Sequence, residues 1–167
     1  MNTDVIRAAT IADADAICRI YNAALAEGRS TFETEPRSSD DFEDRIEDAR
    51  FPFQVAAARQ GIVGWAGLAP YSPRPCYAGI GECSVYVALE ARGRGTGTAL
   101  TEALARAALG EGFHKLIGKL FTDNFASMRL VERCGFSRVG LHRRHGRLDG
   151  EWRDVLVVER LLDAGSG

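Results

Sequence analysis

The chain is 167 residues long with 46% hydrophobic and 26% charged side chains, close to the averages of soluble globular proteins, which excludes disordered, collagen-like and low-complexity readings. Lys and Arg number 21 against 23 Asp and Glu, a formal net charge of -2, and that balance excludes a general binder of nucleic acid, whose affinity needs excess positive charge. One domain over residues 1–167 is expected, with a core of about 4–162 and a short flexible tail over 163–167.

Cys18, Cys76, Cys83 and Cys134 form no C-x-x-C pair and have no His at ligand spacing, so no metal site is expected. The start of the chain contains Asp4 and Arg7 and lacks the apolar run of a secretory signal, and no uninterrupted apolar stretch approaches about 18 residues. The expectation is a cytoplasmic protein with reduced thiols and no membrane association.

In chain order, Val5-Ile6-Arg7 reads as a strand and leads to Thr10-Ile11-Ala12-Asp13, a helix start with the Thr10 hydroxyl as cap and an acidic first turn. Ile17, Ile20, Tyr21, Ala24 and Leu25 recur at helical spacing up to Gly28. A second helix begins at Ser38, buries Phe42, Ile46 and Ala49, and stops before Pro52. The loop between them carries Thr31, Phe32 and Glu33 with no periodic reason. Gln54–Ala58 and Ile62–Ala69 read as a hairpin around Gln60-Gly61, and 71–77, stiffened by Pro73 and Pro75, as an extended connection. A strand over Ile80–Val87 precedes Arg92-Gly93-Arg94-Gly95-Thr96-Gly97 and a helix to about Glu111, with Leu100, Ala103, Leu104, Ala107 and Ala108 inward. Lys115–Phe121 is a strand, Ala126–Cys134 a short helix, and Ser137–Arg144 and Trp152–Leu161 a strand pair around the Asp149-Gly150 turn. The order β, α, α, β, β, β, α, β, α, β, β indicates an α/β fold with a mixed sheet covered by helices on both faces.

The glycine-rich turn is the first chemical signal. Glycines allow positive φ and close approach of an anion to several N–H groups, and the helix behind adds its positive end, so the turn suits phosphate. It is neither G-x-x-x-x-G-K-[ST] nor G-x-G-x-x-G, because Leu100 stands where the third glycine would be. It does match R-x-x-G-x-G, and with the element order over 4–162 the chain resembles the GNAT N-acetyltransferases. Tyr21-Asn22, the run Ser30 to Pro36, Pro73-Arg74-Pro75, Glu82 to Val87 and Gly150 to Val155 resemble more narrowly the phosphinothricin and arsinothricin N-acetyltransferases.

The resemblance implies a GNAT acyl-CoA N-acyltransferase fold with a mixed, mostly antiparallel central sheet, acetyl-CoA as co-substrate, a homodimer and a role in antibiotic resistance. It implies that Glu82 is the general base and that the strand at Val85, Tyr86 and Val87 binds the pantetheine arm. Arg92, Gly93, Arg94, Gly95, Thr96, Gly97 and Thr98 would hold pyrophosphate, and Asn124 and Ser127 the coenzyme arm. Arg74 between two prolines suits an anionic acceptor, with Tyr71, Thr31, Phe32 and Glu33 around it. Relatives carry Tyr or His where this chain has Val131, which removes the usual acid for the leaving thiolate.

Alternation puts Glu82, Ser84 and Tyr86 on one face of their strand and Cys83 on the other, against a ping-pong route through an acetyl-cysteine. The expected activity is acetyl transfer to the α-amino group of a small anionic amino acid of the phosphinothricin, arsinothricin or methionine sulfoximine type, directly in a ternary complex. Alternatives are a peptide or protein N-terminal acetyltransferase and a non-catalytic acyl-CoA sensor. His142, Arg143, Arg144, His145 and Arg147 read as a solvated basic cluster in which His145 is the one candidate to face the acceptor, and Trp152 reads as a packing or subunit contact.

Overall fold

A computed structural model describes residues 4–163; of the expected tail, 164–167 lie outside the described residues. Strands β1 (Val5–Ala8), β2 (Phe53–Ala58), β3 (Gly61–Pro70), β4 (Ile80–Val87), β5 (Lys115–Phe121), β6 (Ser137–Leu148) and β7 (Glu151–Leu161) form one sheet in the order β1-β2-β3-β4-β5-β7-β6. Each neighbouring pair is antiparallel except β4 with β5, the mixed and mostly antiparallel sheet that the element order implies. Helices α1 (Ala14–Glu27) and α2 (Ser39–Glu47) cover one face, and α3 (Thr96–Gly110) and α4 (Phe125–Arg133) the other.

Side-chain alternation divides the apolar residues between two cores. Val55 and Trp65 join Ile17, Tyr21 and Phe42 under α1 and α2, whereas Ala56, Ala66 and Leu68 join Leu100, Leu104 and Ala108 under α3. Helix α3 is rotated from its expected stripe: Thr101 and Ala105 are buried while Ala103 and Ala107 are half-buried. The Thr101 hydroxyl donates to the Gly97 carbonyl at 2.8 Å, which lets a polar residue occupy the inward face.

The start of the first helix is a capping box of Thr10 and Asp13, in which the Asp13 carboxylate accepts from the Thr10 N–H at 2.8 Å and from both terminal nitrogens of Arg7 at 2.7 and 2.9 Å. Two further expectations need correction. Within 71–77, Pro75–Tyr77 closes a short 3-10 turn instead of staying extended, since proline at a first helical position leaves no N–H unpaired. Strand β6 runs on to Leu148, because after a bulge of Arg143, Arg144 and His145 opposite Asp154 the pairing resumes at Gly146↔Arg153. Arg144 sits there at φ 48 with its N–H on Asp154 Oδ1 at 2.7 Å. Asp149 and Gly150, at φ 51 and 81, make the two-residue turn that the Asp-Gly pair predicts.

Candidate active site

The pairing between the two parallel strands sets the site. β4 and β5 pair at Ile80↔Lys115, Gly81↔Leu116 and Glu82↔Ile117 and then part. β4 continues with β3 as far as Val87↔Gly64, and β5 continues with β7 as far as Phe121↔Val155. From Cys83 to Val87 one edge of a central strand therefore has no strand beside it, and Val85, Tyr86 and Val87 of that stretch line a groove of about 420 Å³.

The glycine turn closes one end of that groove. Gly93 and Gly95 have φ 75 and 85, a region that a side chain would strain, and Gly95 caps α3. The N–H groups of Gly97 and Thr98, in the first turn of α3, have no helical carbonyl within reach and open onto the groove that both residues line. α4 forms the opposite wall. Asn124 caps it, accepting from the Ser127 N–H at 3.1 Å, while its amide nitrogen donates to the Arg29 carbonyl at 3.3 Å. Both carboxylates that line the groove are neutralised: Glu27 by Arg92 at 2.7 Å and Asp123 by Arg153 at 2.6 Å. Arg29, Arg129 and Arg133 leave it electropositive, as a polyanionic ligand requires.

Glu82 lies at the last β4–β5 pair, on the face shared with Ser84 and Tyr86, and Lys119 Nζ donates to its Oε2 at 3.0 Å. Beyond it, the 71–77 loop forms a second hollow with Arg74, Tyr71, Tyr77 and Arg50. Arg74 is exposed, its guanidinium 5.3 Å from the centre of the Tyr77 ring. On the face of Glu82, Phe32 packs edge-on against Phe121 at 4.7 Å. Gly146 makes room for that ring: a Cβ there would lie 2.7 Å from it.

A family profile described as an acetyltransferase (GNAT) domain matches residues 6–157. The chain belongs to the GNAT acetyltransferase family. It is similar to the phosphinothricin N-acetyltransferase of Streptomyces coelicolor, 38% identical over 149 residues, 86% of this chain and 87% of that one. The L-methionine sulfoximine/L-methionine sulfone acetyltransferase of Pseudomonas paraeruginosa is 32% identical over 165 residues, 95% and 94% of the two chains. A phosphinothricin acetyltransferase of the GNAT superfamily from Sinorhizobium meliloti, solved in complex with AcCoA, superposes with a TM-score of 0.91 at 30% identity, covering 99% of this chain and 91% of that one.

In this N-acetyltransferase, the residues expected at the cofactor line the groove with one exception, Arg94, whose guanidinium turns away onto the Glu90 carbonyl. Two others act differently from expectation. The Arg92 guanidinium is held by both Glu27 oxygens and by the Val87 carbonyl at 2.9 Å, so it braces the turn against α1. Thr96 is buried with its hydroxyl on Asp4 Oδ2 at 2.8 Å, which leaves only its backbone to the groove.

The residues expected at the acceptor do not share one cavity: Arg74 and Tyr71 line the second hollow, and Thr31, Phe32 and Glu33 line neither. Glu33 is tied to Arg37 and to the Tyr21 hydroxyl at 3.0 Å, and the Arg37 ion pair holds its carboxyl below the usual range. Asn22 clasps both backbone groups of Arg37 at 3.0 Å, so Tyr21-Asn22 fixes this loop. His142 and His145 stack on each other at 4.3 Å on exposed β6, and neither lines the groove or the second hollow. Cys83 points into the α3 core, and burial pushes its thiol up to about 12, far from a reactive thiolate. Val131 packs against the same core. Glu27 and Lys119 went unread in the sequence; Lys119, the only charge inside Leu116–Phe121, carried a visible signal.

Proposed function

We propose that this acetyltransferase moves the acetyl group of acetyl-CoA to the α-amino group of a small anionic amino acid of the phosphinothricin, arsinothricin or methionine sulfoximine type, by direct attack in a ternary complex. The observation that carries the reading is the parting of β4 and β5 after Glu82, which leaves an unpaired strand edge running from the glycine turn to a carboxylate.

Bound acetyl-CoA supplies the acetyl group as a thioester. The first-turn N–H groups of α3 and the glycines before them would hold its diphosphate. The free edge from Cys83 to Val87, with Asn124 and Ser127 opposite, would hold the arm, and a β4 N–H would polarise the thioester carbonyl. Glu82 accepts the proton that the attacking amine loses, directly or through one water. A thiol with an ordinary pKa of about 8.5 leaves as thiolate and takes its proton from water, so Val131 needs no replacement as acid. Arg74 supplies a planar fork for the second anionic group of the acceptor.

The similarity to named phosphinothricin and methionine sulfoximine acetyltransferases supports the acceptor class. The same proposal places the protein in the cytoplasm, its cysteines free, and pairs it as a homodimer through the β6–β7 hairpin. Val139, Leu141 and Trp152 are exposed there at 56%, 46% and 50%.

The test is acceptor-dependent thiol release from acetyl-CoA, with these amino acids assayed beside short peptides. Glu82→Gln is expected to lower kcat by roughly 100-fold, the scale of a general base, with KM for acetyl-CoA preserved. Arg74→Ala is expected to raise KM for the amino acid at least tenfold, about 1.4 kcal/mol of binding. Turnover of peptides alone would identify an N-terminal acetyltransferase, and no acceptor-dependent thiol would identify a sensor.

A further inference from the structure

Lys119 is out of place by every local rule. β5 lies between β4 and β7, and its β4-side edge opens beyond Ile117 onto the gap inside the sheet instead of the rim of the sheet, so a lysine there is not guarding an outer edge against strand addition. The residues around it, Leu116, Ile117, Gly118, Leu120 and Phe121, are all buried, and Lys is poorly suited to a central strand. Its side chain is 45% exposed and reaches Glu82, 31% exposed, at 3.0 Å. Had the β4–β5 ladder continued beyond Glu82↔Ile117, Lys119 would stand opposite Ser84. It instead leans back across the mouth of the gap. On the same face the small residues Ala69 and Ser84, both half-buried, flank Glu82.

The bond is selective. Lys119 takes Oε2, and Oε1 has no hydrogen-bond partner among the described residues. One oxygen is anchored and the other is left to accept a further hydrogen bond. An isolated surface ion pair adds about 0–1 kcal/mol to stability, which gives little reason to interrupt an apolar strand.

We propose that Lys119 is the positioning residue for Glu82: its ammonium anchors Oε2 across the parting strands and so aims Oε1 at the amine that Glu82 deprotonates. This rests on the reading of Glu82 as general base. Lys119 exchanges no proton in the step; the amine proton goes to Glu82, and the thiolate leaves with the electron pair of the broken C–S bond.

The experiment is a double-mutant cycle read by steady-state thiol release, with the preferred amino acid as acceptor. Lys119→Met is expected to lower kcat about tenfold and to leave KM for acetyl-CoA within twofold, with Lys119→Arg restoring at least half of the loss. In a Glu82→Gln background, the same Lys119→Met change is expected to alter kcat less than twofold, because nothing remains to position. Thermal midpoints measured alongside confirm that each variant is folded. An unchanged kcat in Lys119→Met, or an equal loss in both backgrounds, overturns the proposal. So does a raised KM for the amino acid at constant kcat, which would make Lys119 an acceptor-binding group. If Glu82→Gln alone retains full kcat, the base assignment fails first, and that result is distinct from the failure of Lys119.

Discussion

Arg92 shows how a residue of a binding motif can also brace the fold. Each of its three nitrogens donates one bond, two to Glu27 and one to the Val87 carbonyl, and the bond from Arg92 holds the Glu27 carboxyl below its usual range. The pair ties the last turn of α1 to the glycine turn, so its loss would loosen the proposed phosphate site. Both partners are more than a third exposed, which limits the pair to about 1 kcal/mol or less. Glu27→Ala is therefore expected to raise KM for acetyl-CoA roughly threefold with kcat unchanged, as initial rates at saturating acceptor would show. Nothing in the spacing of Glu27 and Arg92, 65 residues apart, announces this contact; R-x-x-G-x-G was legible as a motif and the brace inside it was not.

Among the elements, α3 and its preceding turn depend on backbone conformation more than on space. No atom lies within 4 Å of where a Cβ would stand at Gly95, but the residue sits at φ 85. Gly95→Ala is expected to cost about 1–2 kcal/mol of stability and to weaken acetyl-CoA binding, measurable by urea denaturation and by titration calorimetry. The same local logic explains which elements could be read in advance. Strands with alternating or apolar runs, the Asp149-Gly150 turn and the glycine stop of α1 follow from short-range rules and appear where expected. The bulge in β6 does not, since it is set by Asp154 on the neighbouring strand. The rotation of α3 escapes a purely apolar stripe for a different reason: the Thr101 hydroxyl satisfies itself on its own helix, so a polar residue can face inward. The loop between α1 and α2 is the extreme case: Thr31, Phe32 and Glu33 stand out in the sequence, yet their placement depends on Tyr21, Asn22, Phe121 and Gly146, none of them in the loop itself.

For the whole molecule, the paired carboxyls of Asp13, Glu27 and Glu33 are all held below their ordinary values, chiefly by hydrogen bonds from Arg7, Arg92 and Arg37. Each therefore adds stability that is complete above the unfolded pKa of about 4 and is lost as pH falls through the folded one. Melting temperatures are expected to be flat with respect to these groups from neutrality to about pH 5 and to drop steeply below about pH 4, with the slope reduced in Asp13→Asn. The parting of β4 and β5 has a mechanical consequence as well. Through the sheet, β1–β4 and β5–β7 are two stiff panels joined by a seam of three residue pairs at one end. A ligand lying in the open end stitches the panels along the remainder of their length. The coenzyme would then be a removable strand of the enzyme's own sheet, and amide protection along Cys83–Val87 a gauge of whether the seam is sewn.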